Sequence, residues 1–361
     1  MQQRTTRYTR WLAPAALGGA LLLSSWACSD DDLTAVILSP ATIAVTSGNG
    51  QAGVFGQPLA QPIVVHVGDQ NGNSVAGARV DWTVLFGGGS VSAPTSQTDA
   101  NGNASITWTM GPAAFVDTLR ATIANGASVI VTATATPPVQ ILSASGDITA
   151  AVNQYRGLLG ALNPNVAGEQ PGGRREINWD GVPAAFTNSD NFPGNFFNVN
   201  SPRGVLFTTP GSAFRISDNG YVDVNAAYAG EFNVFSAPKL FAARGSTVTD
   251  VSFVVAGSNT PALVSGFGSV FADVGLATST TIQYFDAAGN LLATATAPKR
   301  SDAAGLSFVG AMFQSRLVAR VRITSGNTPI DPAVTDDANS GGARDIVVMD
   351  DFIYGEPRVA P

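Results

Sequence analysis

Between Gly56 and Val91 the chain reads GQPLAQPIVVHVGDQNGNSVAGARVDWTVLFGGGSV, and no other stretch restricts the fold as tightly. Ile63, Val65 and Val67 alternate with Val64, His66 and Gly68, the period of a strand with one buried face. Asp69 to Gly72 contains an Asn-Gly step that tolerates positive φ, after which Val80, Trp82 and Val84 resume the alternation. The spacing predicts that the two strands pair as a hairpin. The same turn chemistry recurs at Asp99-Ala100-Asn101-Gly102, ahead of Ala104, Ile106 and Trp108.

Composition extends this reading to the rest of the chain. Lys239 and Lys299 are the only lysines, and Glu169, Glu176, Glu231 and Glu356 are the only glutamates among 26 acidic residues. Strong surface helix formers are therefore scarce, while Gly, Asp, Asn, Ser and Thr favour short strands joined by tight turns. A mostly β protein follows, and 361 residues accommodate two domains and a leader.

Three segments, GQPLAQPIVVHVGDQNGNSVAGARVDW, GGGSV and TDANGNASITWTMG, resemble the bacterial immunoglobulin-like domain of the Big-1 type found in the invasin and intimin adhesins. The resemblance covers about Leu33 to Thr136. It implies an extracellular Ig-like β-sandwich that acts as a spacer or adhesive module, and it names no ligand. Trp82 and Trp108 are expected as core anchors, with an exposed adhesive pair as the alternative.

The first 27 residues have the form of a secretory signal: a basic start with Arg4, Arg7 and Arg10, an apolar run from Trp11 to Leu23, and small residues before Cys28. The apolar run is shorter than the about 20 residues a membrane-spanning helix needs. Losing three arginines with the leader takes the formal balance from −7 to −10, which argues against a nucleic-acid partner. Cys28 is the only cysteine, so an intrachain disulfide is excluded. Its position resembles the lipid-attachment cysteine of bacterial lipoproteins, which would place the protein at the outer membrane. However, Ser25-Trp26-Ala27 departs from the usual lipoprotein pattern and suits ordinary signal peptidase equally.

The domain layout read from these signals is a signal peptide at 1–27, a polar tether at 28–32, the Ig-like domain at 33–136, a linker at 137–146 opened by Pro137-Pro138, a helix plus a second sandwich at 147–357, and a tail at 358–361. Ile148, Val152, Tyr155, Leu159 and Leu162 recur at helical spacing, with Asp147 as N-cap and Asn163-Pro164 as stop. The helix is expected to pack on the second domain. Arg156 as its only base argues against a membrane-surface role. From Arg174 onward, about nine strand candidates separated by Gly, Pro, Asn and Asp clusters predict a jelly-roll-like β-sandwich. GRREINWDGVP, FPGNFFN, RGVLFTTPG and MDDFIYGEP resemble an uncharacterised domain of bacterial secreted proteins seen with PEP-type sorting signals.

Candidate chemistry is sparse. His66 is the only histidine and sits mid-strand, so a structural role is favoured over a triad, and no catalytic or cofactor-binding residue is assigned. The Asp-led turns at Asp69, Asp99 and Asp286 lack the closing Glu of an EF-hand loop and read as hairpin turns. In a jelly roll the first and last strands often pair, which would bring Asp180 beside Asp350 and Asp351. Strand alternation predicts that one of the latter two faces the core. Such a carboxylate is satisfied either by loop amides, at a bulge for instance, or by a structural Ca²⁺ held by Asp180, Asp350 and Asp351. Phe192, Phe196, Phe197, Tyr221 and Tyr228 raise a glycan-binding surface as an alternative to core packing. The resulting expectation is a cell-surface adhesion or recognition protein. It would be anchored in the outer membrane through lipid on Cys28, with the C-terminal sandwich binding a glycan or a surface protein. The alternative is a secreted carbohydrate-active enzyme that uses a carboxylate pair in that domain.

Overall fold

The computed structural model describes residues 38–111, 116–300 and 305–360, so the leader, Cys28 and the tether at 28–32 lie outside the described residues. Short antiparallel strands dominate, as the composition requires, and Ser39–Pro361 forms one compact unit. No helix among the described residues is long and apolar enough to cross a membrane.

The N-terminal sandwich has one sheet of Thr42–Ser47, Ile63–Gly68 and Asn103–Ile106. A second sheet orders Gln51–Val54, Ser128–Thr136, Val116–Ile123, Arg79–Phe86 and Thr95–Gln97. Ile63, Val65 and Val67 from the first sheet and Val80, Trp82, Leu119 and Val131 from the second are buried, as is Trp108, so both tryptophans are core anchors. The hairpin expected between Ile63–Gly68 and Arg79–Phe86 does not form. The first strand pairs with Thr42–Ser47 and Asn103–Ile106, the second with Val116–Ile123 and Thr95–Gln97. Alternation reports that a strand has one buried face, which both have, but it carries no information about which neighbour supplies the ladder. The Asn-Gly turn folds only Ser74 and Val75 back onto Gly68 and Val67, and the chain then passes to the other sheet.

The three Asp-led turns are closed by their own aspartates. Asp69 Oδ1 accepts from the amides of Asn71 and Asn73 at 2.8 Å, Asp99 Oδ1 from Asn101 and Asn103, and Asp286 Oδ1 from Ala288 and Asn290. Gly72, Gly102 and Gly289 take φ of 83°, 74° and 84°, the left-handed conformation each turn needs. Their carboxylates are spent on turn amides, but only the Asp286 turn joins two paired strands, Thr281–Phe285 and Leu291–Thr296, as the expected hairpin; the strands on either side of the Asp69 and Asp99 turns lie in different sheets.

The linker expected at 137–146 shrinks to Pro137-Pro138, because Val139–Ser145 is a strand paired antiparallel with Leu306–Phe313. Two prolines interrupt the ladder of Ser128–Thr136 for want of N–H donors. From Val139 the donors return and a new sheet begins.

That sheet orders Val139–Ser145, Leu306–Phe313, Gly266–Ala272, Val348–Gly355, Leu240–Arg244 and Ala213–Ser217, and Arg174–Ile177 also pairs with Val348–Gly355. Opposite it run Val205–Thr208, Val248–Phe253, Arg320–Thr324, Thr281–Phe285 and Leu291–Thr296. Ile177, Phe241, Phe267 and Phe352 from one sheet and Phe207, Val251, Tyr284 and Val321 from the other share one buried core, the expected second sandwich.

The helix forms at Thr149–Leu159, with Asp147 Oδ1 accepting from the Thr149 amide. Val152, Tyr155 and Leu159 pack with Val270, Phe308 and Ile353 on the outer side of the larger sheet, so its apolar face is covered by this domain. It ends at Gly160 (φ 98°), before the expected Asn163-Pro164 stop, which leaves Leu162 exposed.

Candidate functional site

Ile177 is the last residue of its strand, and its register places it opposite Phe352 of the closing strand. The expected pairing of the strand before Trp179 with the closing strand therefore forms, although Val139–Ser145 precedes it in the same sheet, and Trp179 follows with φ 65°, a rare conformation for a residue with a Cβ. Its indole stacks on Phe241 (centroids 4.1 Å apart, planes at 3°) and meets Phe197 and Phe352 edge-on, while Nε1 donates to the Asp350 carbonyl at 2.7 Å. Phe192, Phe196, Phe197, Tyr221 and Tyr228 are all buried, which corrects the idea of an aromatic sugar platform there. Seven consecutive FPGNFFN residues hold three phenylalanines because each ring fills the core around Trp179.

The closing strand carries a bulge. Ser269 stands opposite Phe352 and Phe271 opposite Met349, so Asp350 and Asp351 together face Val270. The extra residue puts both Met349 and Phe352 into the core and turns both carboxyls to the other side. There Ser236 Oγ donates to Asp351 Oδ1 at 2.6 Å and also lies 3.0 Å from Asp350 Oδ1. The expectation that one of the two aspartates faces the core fails for this reason.

Asp350 Oδ2 accepts from the amides of Phe235 (2.6 Å) and Ser236 (3.2 Å), and Asp351 Oδ2 pairs with Arg156 at 3.2 Å. Arg156, from the helix, also clamps Glu176, to which Arg174 donates at 2.6 Å. Burial, and then the charge of Asp351, push the Asp350 carboxyl up to about 8, and burial raises Asp351 as well. Burial and mutual repulsion thus disfavour charge on both carboxyls at once, and Arg156 pairs with Asp351. With exposures of 0% and 2%, neither carboxyl can reach a polysaccharide.

Asp180 stands apart. Its Oδ1 accepts from the Lys239 amide at 3.3 Å and its Oδ2 from Asn178, and burial raises its pKa. The ligand oxygens of Asp180, Asp350 and Asp351 do not converge within 4.8 Å. Among the described residues the only acidic triple that does is Glu231, Asp273 and Asp336. Sequence reasoning passed over these three, since they come from separate loops with no motif spacing. His66 Nε2 lies 3.0 Å from Ser74 Oγ, a contact within the Ig-like sandwich.

The sealed state of Asp350 gives a pH prediction. A carboxyl whose folded pKa lies above the about 3.9 of an unfolded Asp contributes stability below pH 4 that is lost as pH rises toward 8. Asp350→Asn keeps an acceptor for the Phe235 and Ser236 amides and removes the titration. The variant is therefore expected to match the wild type near pH 4 and to exceed it at pH 8.5 by several degrees in thermal midpoint. Parallel midpoint curves over that range would show that Asp350 is ionised in the fold.

Beside Trp179 a recess of about 460 Å³ opens between Asn178, Gly181, Phe186, Asn200, Ser201 and Arg203. The Arg203 guanidinium lies over the Phe197 ring at 4.9 Å and donates through Nε to the Glu176 carbonyl. The recess is polar-rimmed, with the Arg203 cation held by these two contacts.

No curated protein matches the sequence. Among solved structures, the D00-D0 domain of intimin shares 16% identity over 26% of this chain and 44% of that one (TM-score 0.21). The Yersinia pseudotuberculosis adhesin InvE shares 21% over 28% and 33% (TM-score 0.24). A C-terminal 282-residue fragment of intimin, solved with the intimin-binding domain of its translocated receptor, shares 15% over 61% of each chain (TM-score 0.25). This chain thus spans less than half of the intimin D00-D0 and InvE structures. The model of the bacterial Ig-like domain (group 1) matches residues 60–137, the segment whose strands, turns and tryptophan core are described above. It is residues 60–137 that match the bacterial Ig-like domain of group 1.

Proposed function

We propose that this is an exported surface protein that recognises its partner by binding, with the Ig-like module as spacer and the C-terminal sandwich as the recognition domain. The match of residues 60–137 to the group 1 bacterial Ig-like domains carries this reading, because that module resembles those of invasin and intimin adhesins. The secretory form of residues 1–27 supports export, and Cys28 is the residue that would carry the lipid anchor at the outer membrane. A surface protein or a glycan is the ligand class, and the recess rimmed by Asn178, Asn200, Ser201 and Arg203 offers donors and acceptors in a fixed frame. The sealing of Asp350 and Asp351 speaks for recognition over hydrolysis by that pair.

Mass spectrometry of the mature chain from membrane fractions of producing cells, together with antibody labelling of intact cells, tests this placement. The expected result is a chain that begins at an acylated Cys28 and labels from outside. A cytoplasmic chain that still begins at Met1 would contradict it.

A further inference from the structure

Asp273 follows the strand Gly266–Ala272 and is fully buried, with a left-handed backbone at φ 66°. Its Oδ1 accepts from Asn339 Nδ2 at 2.6 Å, but its Oδ2, equally buried, has no hydrogen-bond partner. One carboxylate oxygen from each of Glu231, Asp273 and Asp336 lies within 4.8 Å of the other two. Neither Lys nor Arg pairs with any of the three among the described residues. Asn339 Oδ1 is a further buried oxygen without a partner.

Three carboxylates around a sealed, unpartnered oxygen repel one another, and burial alone makes the charge on Asp273 costly. A divalent cation offsets that repulsion, since oxygens up to 4.8 Å apart can share one ion at the about 2.4 Å typical of Ca²⁺.

We infer that Glu231, Asp273 and Asp336 form a Ca²⁺ site that ties the loops of Glu231 and Asp336 to the end of the strand Gly266–Ala272. Asp336 suits this role because the amides of Ala338 and Ile346 already orient its two oxygens at 2.9 and 2.6 Å, leaving a lone pair on each. The Glu231 segment follows the turn at Tyr228, whose hydroxyl donates to the Val334 carbonyl at 2.8 Å and also lies 3.0 Å from that of Asp331. The loops that would bring the ligands are therefore already joined beside the core of Tyr221, Tyr228, Phe232 and Ile346. The hard, all-oxygen ligand set and its origin in loops favour Ca²⁺ over Mg²⁺, which needs stricter octahedral geometry and keeps its waters. The calcium expected at Asp180, Asp350 and Asp351 thus moves to a different part of the same domain.

The test uses the full chain stripped with EDTA and titrated with calcium chloride, followed by calorimetry and by thermal unfolding. One ion per chain is expected, with the midpoint raised by roughly 5–10 °C at saturation. Asp273→Asn and Glu231→Gln should weaken binding at least tenfold, while Asp350→Asn should leave it unchanged. Glu231 is only half-buried, so Glu231→Gln remains readable where Asp273→Asn fails to fold. A wild type that shows neither heat nor a midpoint shift up to about 10 mM calcium, roughly tenfold above the about 1 mM weak limit of extracellular sites, would overturn the assignment. So would a response that survives in the folded variants of Glu231 and Asp273.

Discussion

Replacing Arg175 with alanine is expected to lower the unfolding free energy by about 3–5 kcal/mol, the cost of breaking a buried ion pair from one side. Arg175 and Glu356 have side-chain exposures of 0% and 1%, and their fork is bidentate, Nε to Oε2 at 2.6 Å and a terminal nitrogen to Oε1 at 2.7 Å. The remaining guanidinium donors reach the carbonyls of Pro164, Pro202 and, at longer range, Val166 and Gly168. Asn163 Nδ2 and the Gln170 amide complete the carboxylate. The pair therefore fastens the loop before Arg174–Ile177 to the end of the closing strand, and its loss leaves both a charge and a set of carbonyls without partners. Screening by salt is weak at such burial, so the deficit should be equal at low and high ionic strength. Urea denaturation followed by tryptophan fluorescence measures it. A loss under about 1 kcal/mol, the range of exposed pairs, would mean that water reaches the pair.

Trp179→Ala is expected to cost a similar amount, about 3–5 kcal/mol, as do other large aromatic truncations in cores. Removing the indole opens a void between Phe241, Phe197 and Phe352 and strips the Asp350 carbonyl of its donor. Trp179→Phe separates the two effects: it retains most of the packing and gives up the hydrogen bond, so a loss of about 1–2 kcal/mol is expected. Because Asp350 is one residue of the bulge, the alanine variant should also shift the pH dependence ascribed to its carboxyl. Thermal midpoints at pH 5 and 8 measure this. Equal losses for both variants would place the stabilisation in the hydrogen bond alone.

Which parts of this were legible in the residues depends on how local their causes are. The Asp-Asn-Gly turns were readable because each aspartate caps its own loop within four residues. The helix was readable because one face repeats at the α period. Pairing of REI with FIYG followed from a topological habit of jelly rolls, and it brought Trp179 to Asp350. The partner of Ile63–Gly68 was not readable, because two strands that each bury one face are alike whether they lie in one sheet or in opposite sheets. The bulge at Asp350 and Asp351 adds one residue to a strand without changing its composition, so alternation sent one of them to the core wrongly. Glu231, Asp273 and Asp336 meet only through tertiary structure. The short strand Val139–Ser145 looked like linker because two prolines precede it and its side chains are mostly exposed.

The proposal that this protein acts by holding a partner and leaves it chemically intact is supported by the match of residues 60–137 and by the sealed carboxyl pair. The most direct measurement incubates the purified mature chain with arrays of glycans and surface proteins, and with the same polysaccharides in solution, scoring retention and released reducing ends together. Saturable retention on an array without new reducing ends is the predicted result. Release of sugar ends that is abolished by Asp180→Asn, with no retention on any array, would contradict it.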